Sequence, residues 1–362
     1  PRTSVTTFEH DAAGQLVKLT ATDANMNTQV EAFAYDQGGM LVHSRRHIET
    51  AMDTFPDRKF YSRTNDVEVR FDRNALGQVL KESQRTGDGP WFDVESHYEP
   101  GGLRSQRDSS LGHRVRYAYD RAGDLSTVTL GLSEPFSKLP IPAAQRPDWV
   151  MQITRTQAGE ELARAFPGGV RALWKRDDKG RLEERRVLTG VRPTTDPRGA
   201  SSGADVLRTQ YAWRSSEQIA SLSNLLSGDR VDYEHDARGH LIRETRHKRS
   251  PQGAWQSEVV PRLSDQVGNL FRQPDFKDAA YGKNGQLLRW GQNTYAYDEH
   301  GRLALKTLAD GARWLYRWSP AGRLLEVERP DGKVVAFEYD TFGRRTQKRF
   351  DGEVTTYIWD GD

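Results

Sequence analysis

The sequence predicts an all-β fold made of stacked hairpins, and three observations point there. An aromatic motif recurs, in its clearest stretch at intervals of 21 residues; each motif runs into an Asp-x-x-Gly turn; and a second glycine turn falls between successive motifs. Regular self-similarity at such a period is the mark of a repeat architecture, in which each unit buries its apolar face only against its neighbours.

The motif is plainest near the end of the chain: Tyr295-Ala296-Tyr297-Asp298 with Gly301 and Leu303, Tyr316-Arg317-Trp318-Ser319 with Gly322 and Leu324, and Phe337-Glu338-Tyr339-Asp340 with Gly343 and Arg345. It recurs at Phe33-Ala34-Tyr35-Asp36 with Gly39, at Tyr117-Ala118-Tyr119-Asp120 with Gly123, and at Tyr233-Glu234-His235-Asp236 with Gly239. Looser copies carry Gly14, Gly77, Gly102, Gly159, Gly180, Gly268 and Gly285, and a degenerate copy has Glu217 in the glycine place, giving about fourteen units over residues 1–362. Aromatics two apart share one face of a strand. The aspartate then offers an acceptor at the first turn position, and the glycine supplies a positive φ at the fourth. Turns such as Ala309-Asp310-Gly311, Pro330-Asp331-Gly332, Phe350-Asp351-Gly352 and Pro167-Gly168-Gly169 close each unit before the next aromatic strand. One unit is therefore two strands and two turns. Tyr297, Trp318, Tyr339 and Trp359 are expected in lateral register as an aromatic ladder. The loosely periodic run from Arg155 to Phe166 reads as strand and turn because Gly159 falls in register. Wider intervals predict insertions or extra strands near 42–70, 126–152 and 186–210, and the Pro193–Asp205 stretch reads as a protease-sensitive linker.

Composition agrees with a thin, wetted sheet: 35% of residues are hydrophobic, yet nine Trp, thirteen Tyr and thirteen Phe are present. Disordered chains lack such aromatics. Fifty-three basic residues against 51 acidic ones leave a net charge of +2, with no electrostatic footprint for nucleic acid, and basic clusters such as Arg246–Arg249 read as solvated strand and turn positions. With no cysteine, disulfides and zinc-thiolate sites are excluded, and no apolar run approaches the ~18 residues of a membrane span.

The pattern Tyr-x-Tyr-Asp-x-x-Gly-Arg-Leu with a Pro-Asp-Gly turn resembles the YD repeat of Rhs proteins, YD-repeat toxins and teneurins. Phe166-Pro167-Gly168-Gly169-Val170 with Trp174-Lys175-Arg176-Asp177, Asp265-Gln266-Val267-Gly268-Asn269-Leu270-Phe271 and Tyr357-Ile358-Trp359-Asp360-Gly361-Asp362 are similar to the core of proteobacterial Rhs polymorphic toxins. The resemblance implies a spiral β-sheet wound into a hollow cocoon-like shell that encloses a C-terminal toxin until delivery, by type VI secretion or a related system. It implies partners as well: the remaining shell segments, the toxin, a VgrG/PAAR-type spike and an adaptor chaperone. A secreted protein, made in the bacterial cytoplasm and exported, is the expected setting. Such families close the shell and cleave themselves with segments expected beyond Asp362, so an open sheet edge is expected at the Trp359-Asp360 end. The alternative from another class is a cell-surface adhesion or carbohydrate-binding YD module.

Residues with chemical potential read as structural. Asp196-Pro197-Arg198-Gly199 matches the family's cleavage signature but lies in the linker-like stretch, as does the Gly-x-Ser-x-Gly string Gly199–Gly203 around Ser201. His43 and His47 lack the glutamate of a zincin helix, and His10 and His235 occupy the repeat's tyrosine slot. One turn aspartate per 21 residues cannot supply the six to eight oxygens of a calcium site. Trp359-Asp360 lacks the Gly-His partner and the ~40-residue period of a propeller blade. No catalytic residue, cofactor site or metal site is expected, and the chain is not expected to be an enzyme.

Overall fold

The computed structural model describes residues 4–49, 66–132, 149–190 and 203–361, apart from 216 and 251. Of these, 60% are strand and 2% helix. The helical share is two single 3₁₀ turns, Pro167–Gly169 and Lys283–Gly285. Successive strands pair antiparallel through the repeat motif and back through the closing turn, as the 21-residue arithmetic requires. Tyr295, Ala296 and Tyr297 lie opposite Lys306, Leu305 and Leu303, and Thr307 opposite Arg313 of the next unit.

The turn chemistry is the same from copy to copy. In Asp298–Arg302 the Gly301 N–H donates to the Asp298 carbonyl at 3.0 Å, while one carboxylate oxygen of Asp298 accepts the N–H groups of His300 and Arg302 at 3.0 and 2.9 Å. Asp11, Asp120, Asp177, Asp236, Asp265 and Asp340 repeat this. The register slips by one residue at the position before the turn, between Ala296 and Tyr297 or between Lys175 and Arg176 for instance, which is a bulge accompanied in most copies by the glycine's positive φ. With both N–H groups of the turn on one carboxylate oxygen, these aspartates are caps. The degenerate copy still turns without its glycine, the Arg214 N–H donating to the Gln218 carbonyl. The Arg155–Phe166 run is two paired strands, Trp149–Arg155 and Glu161–Phe166, as expected.

The expected aromatic ladder is interrupted. Each motif strand is separated from the next by a return strand, so the aromatics of consecutive units lie two strand spacings apart, ~9.6 Å. They bind the preceding unit in another way. Trp318 Nε1 donates to the Leu303 carbonyl (2.8 Å), Trp359 Nε1 to Arg345 (2.7 Å), Tyr35 Oη to Leu16 (2.9 Å), Tyr98 Oη to Val79 (3.0 Å) and Trp213 Nε1 to Leu182 (2.8 Å). Every acceptor stands two residues after the previous unit's turn glycine. Arg73 does the same to Leu41 and Arg155 to Leu125. The slot thus selects a long side chain with a donor at its tip, which Tyr, Trp and Arg share.

A second contact runs forward. In several units the residue after the turn's fourth position lies over the glycine of the next unit: Gln15 over Gly39, Met40 over Gly77, Gln78 over Gly102, Gln218 over Gly239 and Arg323 over Gly343. Gln15 and Gln78 also donate to the Gly39 and Gly102 carbonyls. Where this residue is arginine, its guanidinium faces the next slot tryptophan, Arg302 over Trp318 and Arg344 over Trp359 at 5.8 Å, Arg181 over Trp213 at 5.5 Å. Backward donor and forward side chain together lock neighbouring units.

The chain divides into two compact units: Pro1–Arg114 with Leu132–Leu139 and Gln292–Asp362, and Val115–Gly131 with Pro140–Gly291. The first therefore unites early and late repeats, each as an antiparallel run. Its apolar core is small, with Val67, Val69 and Phe71 on one face of Val67–Arg73, joined by Ile48 and Val94. Much of its interior is polar. In the second unit, strands such as Val170–Arg176, Leu182–Thr189 and Ala204–Trp213 pair in sequence, with Arg186 and Arg208 bound to Asp205 and Glu184 on one face.

The segments at 50–65, 133–148 and 191–202 lie outside the described residues, and so do the core of each expected insertion, Asp196 and Ser201. Leu41–Glu49 and Val67–Arg73, which flank the first, are directly paired. The linker reading needs correction at its end: Ala204 and Asp205 open a strand, where Asp205 accepts from Arg186 at 3.1 Å. An alternating polar strand start there lacks the apolar signal by which strands are recognised.

Candidate functional site, a buried charged seam

In the first unit, the return strands Leu41–Glu49 and Val79–Thr86 place polar residues on their buried face: Ser44 and Arg46, then Glu82 and Gln84. Against them lies the hairpin of Val334–Tyr339 and Arg345–Phe350 with its turn, where Glu338, Asp340, Arg344 and Thr346 are buried in turn. Arg46, with a fully buried side chain, pairs with Glu338, which is 1% exposed. Glu338 takes a second guanidinium from Arg349 at 2.8 Å. Thr341 Oγ1 donates to Ser44 Oγ at 2.8 Å, and the Phe342 ring meets Phe71 edge to face with centroids 5.8 Å apart. Arg344 ties both sides together, with Nη2 on Glu82 (2.6 Å), Nε on Asp340 (2.7 Å) and Nη1 on the Gly361 carbonyl (2.6 Å).

The tail is held by side chains of the early repeats. Gln84 donates to the Tyr357 carbonyl and accepts the Trp359 N–H at 3.1 Å, and Glu82 accepts the Gly361 N–H at 2.9 Å. Asp360 receives both Arg104 and Arg107. Trp359 and Asp360 are therefore engaged, by contacts 250 and more residues away in sequence that no local pattern reveals, while the last strand, Glu353–Thr356, pairs on one side only among the described residues and remains an exposed sheet edge. A cavity of about 290 Å³ remains beside the seam, between Phe71, Arg73, Tyr98, Arg104, Phe342 and Asp360.

Burial and pairing pull the carboxyls in opposite directions. Burial pushes Glu82 up, against the Gly361 N–H and Arg344, and pushes Glu31 up, against Gln29 and Arg46. For Asp360 burial also acts upward, but the hydrogen bonds from Arg104 and Arg107 outweigh it and hold the group below the usual carboxylate range. The carboxylates of the seam each face a guanidinium, while Gln29 Oε1 is buried without a hydrogen-bond partner.

The remaining sequence candidates are dispersed. His43 and His47 lie on one strand and face Glu68 and Asp66 on the next, within an ion-pair row that also contains Arg45 and Arg85. Among the described residues, no group of three or more His, Cys, Asp or Glu side chains could hold a metal ion. His10 is exposed at the end of its strand, so packing does not account for its place in the tyrosine slot, whereas His235 is half-buried.

The RHS Repeat family model matches residues 297–333 and 318–354, the seam hairpin included. Over 153 residues, 36% of this chain, the sequence is 30% identical to the probable deoxyribonuclease RhsB of Dickeya dadantii (strain 3937). Residues 297–354 thus carry Rhs repeats, and the chain is similar to Rhs proteins. A second relative, the double-stranded DNA deaminase toxin A of Burkholderia cenocepacia (strain H111), is 24% identical over 98% of this chain. The chain spans about a tenth of the length of RhsB and 26% of the deaminase toxin. Its fold is like that in the crystal structure of TcdB2-TccC3-Cdc42, with a TM-score of 0.56 and 14% identity over 97% of this chain and 21% of that one.

Sequence reasoning found the repeat and missed the seam. The missed residues carried a signal: Ser44 and Arg46, or Glu82, Gln84 and Thr86, alternate at positions where a half-buried strand should present apolar side chains.

Proposed function

We propose that this Rhs/YD-repeat segment is a wall element of a shell that encloses a C-terminal toxin until delivery, and that it has no catalytic role itself. The observation that carries this reading is the seam: early and late repeats of one chain are joined through a buried, ion-paired polar interior, an arrangement suited to a closed wall. Breadth of alignment adds support, since the repeats match a DNA deaminase toxin over nearly their whole length while covering a quarter of it. Chemistry named for such relatives belongs, in this reading, to sequence outside the match. Export through a type VI or related apparatus, with a VgrG/PAAR-type spike and an adaptor chaperone, completes the proposal, as does a secreted destination. Cryo-electron microscopy of the complete native protein tests it. A wall formed by these repeats around internal density supports enclosure, and an open ribbon with its C-terminal region outside contradicts it.

A second reading, a carbohydrate-binding module, is favoured by one feature of the second unit. A cleft of about 660 Å³ is lined by Trp255, 52% exposed, together with Asn224, Arg230, Asp232 and His247. A glycan array separates the two readings: specific binding that Trp255→Ala abolishes would favour the module.

A further inference from the structure

About fourteen near-copies of one hairpin pose a problem of register, because any of them offers a similar strand and turn to the return strands of the first unit. We infer that this receiving face reads an address written on a single hairpin, Val334–Phe350, and that the address, rather than the repeat pattern, selects which hairpin closes the seam. The inference concerns assembly and holds whether or not the wall encloses a toxin.

The receiving residues recur at fixed offsets. Ser44, Glu82 and Arg107 each stand five residues after their turn glycine, and Arg46 and Gln84 seven after. They present, in order, a hydroxyl, a carboxylate and guanidinium groups. The hairpin answers with Glu338 for Arg46, Thr341 for Ser44, Phe342 for Phe71 and Arg344 for Glu82.

A slip of one 21-residue unit would replace these with Arg317, Pro320, Ala321 and Arg323. Arg317 would then confront Arg46 in a dry site, Pro320 could not donate to Ser44, and Ala321 would leave Phe71 without its ring. Only the arginine at 323 would match. A buried like-charge pair is the most costly of these errors, since each ion needs a counter-charge once water is removed. Elsewhere in the chain, the place of Glu338 holds a glutamate again only at Glu9 and Glu234, and both of those turns have alanine where Thr341 stands, with Ala13 or Arg238 in place of Phe342. No other hairpin carries the full set. The residues that break the consensus are thus the ones that specify the contact.

The test uses the absence of cysteine from these 362 residues. In the complete native chain, Ser44→Cys with Thr341→Cys should form an intramolecular disulfide, mapped by mass spectrometry, while Ser44→Cys with Pro320→Cys should not. Exchanging the address charges, Arg317→Glu with Glu338→Arg, should lower the 44–341 yield at least about tenfold and raise 44–320. Adding Arg46→Glu to Glu338→Arg alone should restore 44–341, which separates lost recognition from lost folding. Equal yields of the two cysteine pairs in the unexchanged chain, an undiminished 44–341 yield after the charge exchange, or failure of Arg46→Glu to restore it would overturn the inference. So would 44–341 disulfides formed chiefly between two copies.

Discussion

The slot aromatics carry a hydrogen bond as well as an apolar ring, and this separates tyrosine from phenylalanine at positions where burial alone would not. Tyr35 and Tyr98 spend their hydroxyls on the carbonyls of Leu16 and Val79. Tyr98→Phe keeps the ring and removes the donor, so it should destabilise the chain by about 1 kcal/mol in urea denaturation, with the slope unchanged. Gly343→Ala should cost about 1–2 kcal/mol for a side chain at φ +80, and it should also push Arg323 off the turn. At Gly332, where an added Cβ meets nothing within 4 Å, only the backbone part should remain. The glycine was legible in the sequence through its turn. Its second duty, making room for the preceding unit's side chain, was not, because that neighbour is about 20 to 37 residues away and differs in type from Gln15 to Met40 to Arg323.

For the hairpins themselves the sequence was explicit: Asp-x-x-Gly and the 21-residue interval give strands, bulge and closing turn almost to the residue. The partner of a hairpin face was not explicit, since two strands 250 residues apart share no period. The seam's energetics follow from its dryness. A buried ion pair gives little net stability, while removal of one partner strands the other charge, so Arg46→Ala should cost roughly 3–5 kcal/mol and Arg46→Ala with Glu338→Ala distinctly less than the sum of the single changes. The pH response has two parts. Asp360 lies below its unfolded value, so its contribution is complete above about pH 4 and is lost as pH falls through the depressed folded value. Glu82, facing Arg344 and Asp360, and Glu31, facing Arg46, Arg323 and Asp340, lie above theirs. For these two the folded chain binds more protons from about pH 4.3 up to the raised values, and stability declines as pH rises through that window. Thermal scans should therefore show a more stable first unit at about pH 5 than at pH 7 and a steep loss below about pH 4. Glu82→Gln should flatten the gain between pH 7 and 5.

At the scale of the molecule, a low hydrophobic content and a near-zero net charge were enough to predict a thin, wetted sheet with no electrostatic footprint for nucleic acid. What they could not supply was closure. Cross-strand rows such as Arg45, Asp66, Glu68 and Arg85 neutralise one another on the sheet. In the proposed reading the repeats form a wall that contains by enclosing, and its success is read in what it protects. The central claim is tested most directly by limited proteolysis of the complete native protein, following the survival of its C-terminal region with time. The account predicts that this region outlasts the same region expressed without the repeats, and that Arg46→Glu, by opening the seam, removes the protection while Arg46→Glu with Glu338→Arg restores it. Equal digestion with and without the repeats, or protection indifferent to Arg46→Glu, would contradict it.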